Sequence, residues 1–313
     1  MLTVFKNISY TSILNEWLNS KENSIKYSTY YKYEYFINNY IIPYFENINF
    51  KHINNNYIVD FFNSSKIINL SNHTKNLIST IIYSSINYGI NKSYHKKINL
   101  CYLKFKVNSK EVDYLTVKEQ NILENYIYGN MNIRNLLILV SLYSGTRLGE
   151  ICALKGSDID FVNNTISIRR NAQRIKNSGT DTKTKLIVST PKTESSARVI
   201  PIPIFIIKLL KKYIQDSNNF IFTNSDTPKD PRSVEKYFSN LLKKLNIRHV
   251  KFHALRHTYA TRLREQKTDI KVISELLGHS NWKITQDIYV HASFECKEKS
   301  VKEISKNWKK KSS

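Results

Sequence analysis

Four separated stretches of this 313-residue chain carry side chains that can hold an anion or move a proton. Ser144–Leu154, reading Ser-Gly-Thr-Arg-Leu-Gly-Glu-Ile-Cys-Ala-Leu, places Arg147 three residues before Glu150, and Thr190–Thr193 carries Lys192. His253–Thr258, reading His-Ala-Leu-Arg-His-Thr, places His253 three residues before Arg256; Leu277–Ser280 carries His279, and Tyr289 follows in Tyr-Val-His-Ala-Ser. A guanidinium keeps its proton at neutral pH and binds phosphate as a fork. Residues three apart on a helix share a face, so His253 and Arg256 can set an imidazole and a guanidinium around one phosphate. Taken singly, each has a plainer reading. An arginine at a helix end is as a rule structural or solvated, a lone histidine is a satisfied core or surface residue, and Glu150 is an unremarkable helix acid.

The elements that must position these residues show in the hydrophobic spacing. Thr11 or Ser12 caps a run with Ile13, Leu14, Trp17 and Leu18 on one face; Thr29 to Ile42 continues helical until Pro43 stops it. Tyr57 to Phe62, and a longer run from Ser71 with Leu77, Ile81 and Tyr88, complete a small helical bundle whose boundary falls near Lys104 to Lys110. From Thr116 the pattern changes to a helix with Leu123 and a strongly apolar, buried helix at Arg134 to Tyr143. Arg147 follows Gly145 at the turn after it. Short β-branched runs come next. Thr165 to Ile168 follows an Asn163-Asn164 turn, and Leu186 to Val188 and Val199 to Ile202 flank a turn around Pro191 to Ser196, with helices resuming near Phe205. Gly278 reads as the C-cap of an Ile270 to Leu277 helix, with His279 just beyond it. The second part is mixed α+β with helices dominating.

A chain this long divides into two domains more readily than it builds one core. With 48 Lys+Arg against 25 Asp+Glu the formal charge is +23, which calls for a polyanionic partner. Residues 1–108 hold 12 Lys, no Arg and 5 acidic residues, +7 in all, a lysine pattern better suited to phosphates than to reading bases. There is no apolar run long enough for a membrane and no signal-peptide pattern, so an intracellular protein on nucleic acid is expected. Cys101, Cys152 and Cys296 are odd in number and show neither disulfide nor zinc spacing. The abundance of Asn, Ile, Lys and Tyr is what AT-rich codons specify.

The four stretches, in this order and spacing over about 180 residues, resemble the catalytic signature of tyrosine recombinases of the phage integrase family. The N-terminal bundle resembles the family's core-binding domain, with Ser28-Thr29-Tyr30 at the entry to the second helix. The resemblance implies a mainly α fold with a small β-sheet: a helical, SAM-like core-binding bundle at 1–108 and an α+β catalytic domain at 109–295. A basic tail follows at 296–313, in which residues 297–313 carry 7 Lys and 2 Glu and which resembles the family's segment that docks on a neighbouring subunit. The chain starts almost directly with the bundle, so the family's arm-binding domain is not expected.

The same resemblance assigns Arg147 and Arg256 to the phosphate, His253 and His279 to phosphate or tyrosine-proton contacts, and Glu150 to a supporting position. Lys192 becomes the acid for the leaving 5′-hydroxyl, with Lys183 and Lys185 as competitors. Tyr289 becomes the nucleophile, chosen among 21 tyrosines by its place in the signature alone. The implied reaction is strand exchange through a 3′-phosphotyrosine, needing neither cofactor nor metal. The implied partners are double-stranded DNA, gripped from opposite faces, and four copies of the chain on two sites; an accessory DNA-bending or directionality protein is left open. A cytoplasmic, nucleoid-associated enzyme of a bacterial or phage-borne element is the corresponding setting. Two alternatives stay open: DNA relaxation of the type IB topoisomerase kind by the same chemistry, and a non-catalytic DNA-binding regulator, which would leave the six-residue set unexplained.

Overall fold

A computed structural model describes residues 8–94, 100, 102–107, 112–176, 184–190 and 197–279. The chain forms two compact units, Met1–Lys110 and Glu111–Ser313.

Unit 1 is helical. Helix α1 (Tyr10–Lys21) begins before the expected Thr11 or Ser12, because the Ser9 hydroxyl accepts the Ser12 N–H and caps it one residue outside. Ile13, Leu14, Trp17 and Leu18 are buried as their spacing requires. After α2 (Tyr27–Phe36) the chain does not stop at Pro43. A π-helical turn, Ile37–Ile41, leads straight into α3 (Ile42–Phe45), whose first turn holds the proline. A missing N–H costs nothing in a first turn, and the wide π turn takes up the interruption while keeping Ile37, Ile41 and Phe45 buried. Helix α4 (Asn55–Asn63) is capped by Asn54, a short α5 (Ser65–Ile68) follows, and α6 (Asn72–Asn91) is capped by Ser71. Rings fill the centre. Tyr10 meets Phe45 edge-on at 5.2 Å, Phe45 meets Phe61 at 5.3 Å, and the Tyr10 hydroxyl lies 2.8 Å from Ser85 Oγ.

Unit 2 starts with a strap, residues 113–116. The Leu115 N–H donates to Thr258 Oγ1 at 2.8 Å, and the Leu115 carbonyl accepts from Arg262 at 2.7 Å. Arg248 binds Asp113 at 3.1 Å, Glu119 at 3.0 Å and the Tyr114 carbonyl. Thr116 and Glu119 close a reciprocal cap on α7 (Val117–Gly129). In α8 (Ile133–Ser144) nine of twelve residues are buried, so this helix is the centre around which the unit is built. Helix α9 (Leu148–Cys152) is short.

The strands form two sheets. One has the antiparallel order β1 (Ile159–Asp160), β2 (Thr165–Ile168), β5 (Arg198–Pro201), with Ile166 opposite Ile200. The other is a hairpin of β3 (Asn171–Lys176) and β4 (Thr184–Ser189), with Arg174 opposite Leu186. The two strands expected to flank the Lys192 stretch therefore belong to different sheets. Their pairing was hidden because β3 is mostly polar and lacks the β-branched enrichment that marks a strand. The unit closes with α10 (Ile204–Tyr213), α11 (Pro231–Lys244), α12 (Ala254–Glu265) and α13 (Ile270–Leu277). Among the described residues no helix is long and apolar enough to cross a membrane.

Candidate active site

Helix α8 ends in a left-handed Gly145, φ 61°. A Cβ there would lie 2.5 Å from the Tyr259 ring and 2.9 Å from Leu277, so only glycine lets the turn close against these neighbours. The turn delivers Arg147 to the first position outside α9. Glu150, 4% exposed, accepts the Arg147 backbone N–H at 2.9 Å with one oxygen and Nη1 at 2.7 Å with the other. The capping interaction thus fixes both the helix start and the guanidinium.

Arg256 lies in the first turn of α12, 2% exposed, the largest of the fully buried side chains among the described residues. Its Nη1 donates to the Gly145 carbonyl at 2.9 Å and its Nη2 to the Leu277 carbonyl at 2.7 Å. Burial of a guanidinium is tolerated because carbonyl dipoles surround it. His253 is the residue just outside α12, not within the helix, yet it still precedes Arg256 by one turn.

Helix α13 ends at Gly278, φ 65°, in the left-handed conformation the sequence implies, and the His279 N–H bonds back to the Ser274 carbonyl at 3.0 Å. The last carbonyls of a helix lack internal partners and carry the negative end of its dipole. Three arginines supply the partners. Arg198 Nε takes the Leu276 carbonyl at 2.7 Å, Arg256 takes Leu277, and Arg147 Nη2 takes Gly278 at 3.0 Å. The structure thereby brings Arg147, Glu150, Arg256 and His279 together, with His253 within electrostatic reach of both arginines. Lys192 and Tyr289, with the competitor Lys183, lie outside the described residues, as does the tail. Lys185 lies in β4 and pairs in register with Ile175.

Sequence reasoning missed two members. Arg198 sits six residues beyond Lys192 at a strand start, with no motif to mark it. His257 follows Arg256 directly; its ring meets that of His253 edge-on at 4.6 Å. The four-residue spacing from His253 was the available signal.

The electrostatics follow from this gathering of cations. His253 keeps an exposed face, but desolvation by the surrounding protein, then the charges of Arg256 and Arg147, push its pKa down to about 4. His279 is pushed down to about 4 by desolvation, then by Arg256, Arg147 and Arg198. Desolvation, His253 and Arg256 push His257 down to about 3. All three imidazoles are neutral at pH 7. Burial alone would raise Glu150; the hydrogen bonds and charge of Arg198, then Arg147, outweigh it and hold the carboxyl below its usual range. The site therefore presents fixed positive charge, neutral bases and an ionised internal acid, which is the provision an anionic ester needs.

Comparison with known proteins gives consistent findings. Residues 114–295 match the Phage integrase family, and residues 9–72 match the N-terminal SAM-like domain of phage integrases. A tyrosine recombinase XerC-like protein of Caldanaerobacter subterraneus subsp. tengcongensis is 27% identical over 92% of this chain and 80% of its own length. Further curated relatives match over 52 to 64% of their own length. In fold, the chain is similar to a Tn1549 transposon integrase in complex with circular intermediate DNA, with TM-score 0.74 at 20% identity over 95% of this chain and 99% of that one. It is also similar to a lambda integrase tetramer bound to a Holliday junction, with TM-score 0.67 at 18% identity over 90% and 78%.

Proposed function

The chain belongs to the phage integrase family of site-specific DNA recombinases, and on that premise we propose that it cleaves and rejoins duplex DNA through a covalent 3′-phosphotyrosine on Tyr289. The observation that carries this reading is the gathering of Arg147, Arg256 and His279 at the end of α13, directly before the segment that holds Tyr289.

A phenol of pKa near 10 is only about one part in a thousand ionised at pH 7, so the nucleophile needs a proton acceptor. Neutral His253 accepts that proton as the Tyr289 oxygen bonds to phosphorus. The bond from phosphorus to the 5′-oxygen breaks, and the Lys192 ammonium gives its proton to the leaving oxygen. Arg147 and Arg256 hold the non-bridging oxygens, where negative charge must be stabilised, and His279 adds a donor. Attack by the 5′-hydroxyl of a second site reverses the steps and exchanges strands. The bond energy is kept in the phosphotyrosine.

Residues 1–108 act as the core-type DNA-binding domain, 109–295 as the catalytic domain and 296–313 as a tail for a neighbouring subunit. Four protomers assemble on two sites, as the lambda integrase tetramer does on its junction. The setting is the cytoplasm, where the +23 charge meets DNA and binding weakens steeply with salt.

The test uses a duplex selected from a random pool by covalent capture with the wild-type protein. Wild type forms an adduct that survives denaturant; Tyr289→Phe binds the same duplex and forms none. An adduct from the phenylalanine variant removes Tyr289 from the mechanism.

A further inference from the structure

Arg198 opens β5, and its side chain is 6% exposed. Among the described residues it bonds a backbone carbonyl and both oxygens of one carboxylate. Nε donates to the Leu276 carbonyl at 2.7 Å, while Nη1 and Nη2 reach the two oxygens of Glu150 at 3.2 and 2.9 Å. Glu150 gives the same two oxygens to Arg147, whose side chain is 34% exposed and whose other nitrogen holds Gly278. Arg147 and Arg198 therefore share one carboxylate and one helix end.

We propose that Arg198 is a positioning residue for strand cleavage: it neutralises Glu150 and ties it to the end of α13, so that Glu150 orients Arg147 without cancelling its charge toward the scissile phosphate. The proposal rests on the function given above and goes further, because it concerns a residue whose side chain is buried behind Glu150 and the end of α13. Arg147, Arg198, Arg256 and Glu150 sum to a formal +2. Without Arg198 the sum is +1, and the ionised Glu150 is left to Arg147 alone, competing with the phosphate for the same guanidinium. A second consequence concerns the chain path. Arg198 follows Lys192 by six residues in sequence, so its bonds to Leu276 and Glu150 fix the chain just downstream of the proposed acid. A lysine cannot replace it, since one ammonium lacks the planar fork that spans two carboxylate oxygens and a carbonyl.

The experiment uses the full chain and the captured duplex, nicked so that adducts accumulate, with single-turnover rates at saturating protein and binding measured separately. R198Q is expected to bind the duplex as wild type does and to form adduct slower by on the order of 10²-fold, the usual loss when a supporting partner is removed. R198K falls between the two. The deciding variant is E150Q/R198Q, in which removing the acid restores the +2 sum; it cleaves faster than R198Q alone. A merely structural arginine shows in stability instead: E150Q/R198Q then melts higher than R198Q because no acid is left buried with one partner lost, while the rate per folded, bound molecule is the same in the two variants. R198Q at the wild-type rate, or a folded E150Q/R198Q as slow as R198Q, overturns the proposal. Should R198Q fail to fold, R198K decides: a slowed rate with unchanged binding supports the role, and a wild-type rate overturns it. A wild-type protein that forms no adduct on any duplex fails the proposed function itself, and this inference falls with it.

Discussion

Unit 1 closes over side chains such as Tyr10, Phe45, Phe50 and Phe61, and among its described residues no charged side chain is buried: the buried polar groups are neutral, Ser79, Ser85 and the handles of rings such as Tyr10. Unit 2 closes over an aliphatic core and, in addition, over Arg256, Glu150 and Asp158. A buried charge costs several kcal/mol of desolvation, and hydrophobic side chains of the same size would often serve stability equally well. Unit 2 keeps its charges where each is bonded: Arg256 to two carbonyls, Glu150 to two arginines, Asp158 to Arg170 at 3.1 Å. Unit 1 spends its interior on cohesion alone, whereas unit 2 uses part of its interior to hold charges still.

That contrast is open to attack by substitution, because a change in unit 2 should remove rate without stability and a change in unit 1 the reverse. The largest effect is expected for Lys192→Ala, which should slow cleavage by on the order of 10² to 10⁴ while the melting temperature holds. A substrate with sulfur in place of the bridging 5′-oxygen needs no proton to leave. Lys192→Ala should cleave it near the wild-type rate, and Arg256→Ala should stay impaired. No rescue in a folded, DNA-binding Lys192→Ala protein would move the acid role to Lys183 or Lys185.

Next in size is Phe45→Ala in unit 1, which removes a fully buried ring from contact with Tyr10, Tyr44 and Phe61. A loss of about 3–5 kcal/mol is expected from denaturant unfolding of unit 1. Below its transition the variant should still form adduct on bound duplex, and a collapse of the chemical step there would break the contrast.

Acid should separate the units more gently. The unfolded chain protonates its histidines near pH 6.5, while His253, His257 and His279 resist protonation until about pH 4, 3 and 4. Between these limits the unfolded state binds more protons, so the histidine contribution to the stability of unit 2 falls as pH drops from about 6.5 toward 3 and levels off below, while Glu150, held below its usual range, adds a further loss in the acid range. Melting at pH 7 and pH 5 should show this, and His257→Phe should flatten the dependence. An unchanged slope in that variant would mean the histidines are not its source. The smallest effect is expected for Tyr10→Phe. It removes the hydroxyl beside Ser85 and should cost about 1 kcal/mol in the same unfolding measurement of unit 1, with no change in cleavage rate.

How far these features could be read from the sequence depended on how local they are. The α1, α6, α8 and α13 helices follow from apolar spacing and from caps within three residues of their ends, and Gly145 and Gly278 were legible as helix stops. Pro43 misled because the helix re-forms around it through a π turn, which periodicity does not encode. The motif residues Arg147, Glu150, His253, Arg256 and His279 were legible through the family signature. The network that holds them was not. Arg198 meets Glu150 across 48 residues, and Arg256 meets Gly145 across 111. Such contacts appear only when the chain has folded, and nothing about an arginine before Val-Ile-Pro announces them.

The strap at 113–116 gives this arrangement a mechanical side. The Leu115 backbone is tied through both its N–H and its carbonyl to Thr258 and Arg262, two positions of the helix that bears Arg256. A pull on the chain at residue 112 is therefore borne by α12 itself, and Arg248, bonded to Asp113, Tyr114 and Glu119, spreads the load into the base of α7. Tension carried along the backbone into unit 2 meets Arg248 at Asp113 and Tyr114 and then, at Leu115, the helix that presents Arg256, two residues from the Thr258 anchor, before it reaches either sheet.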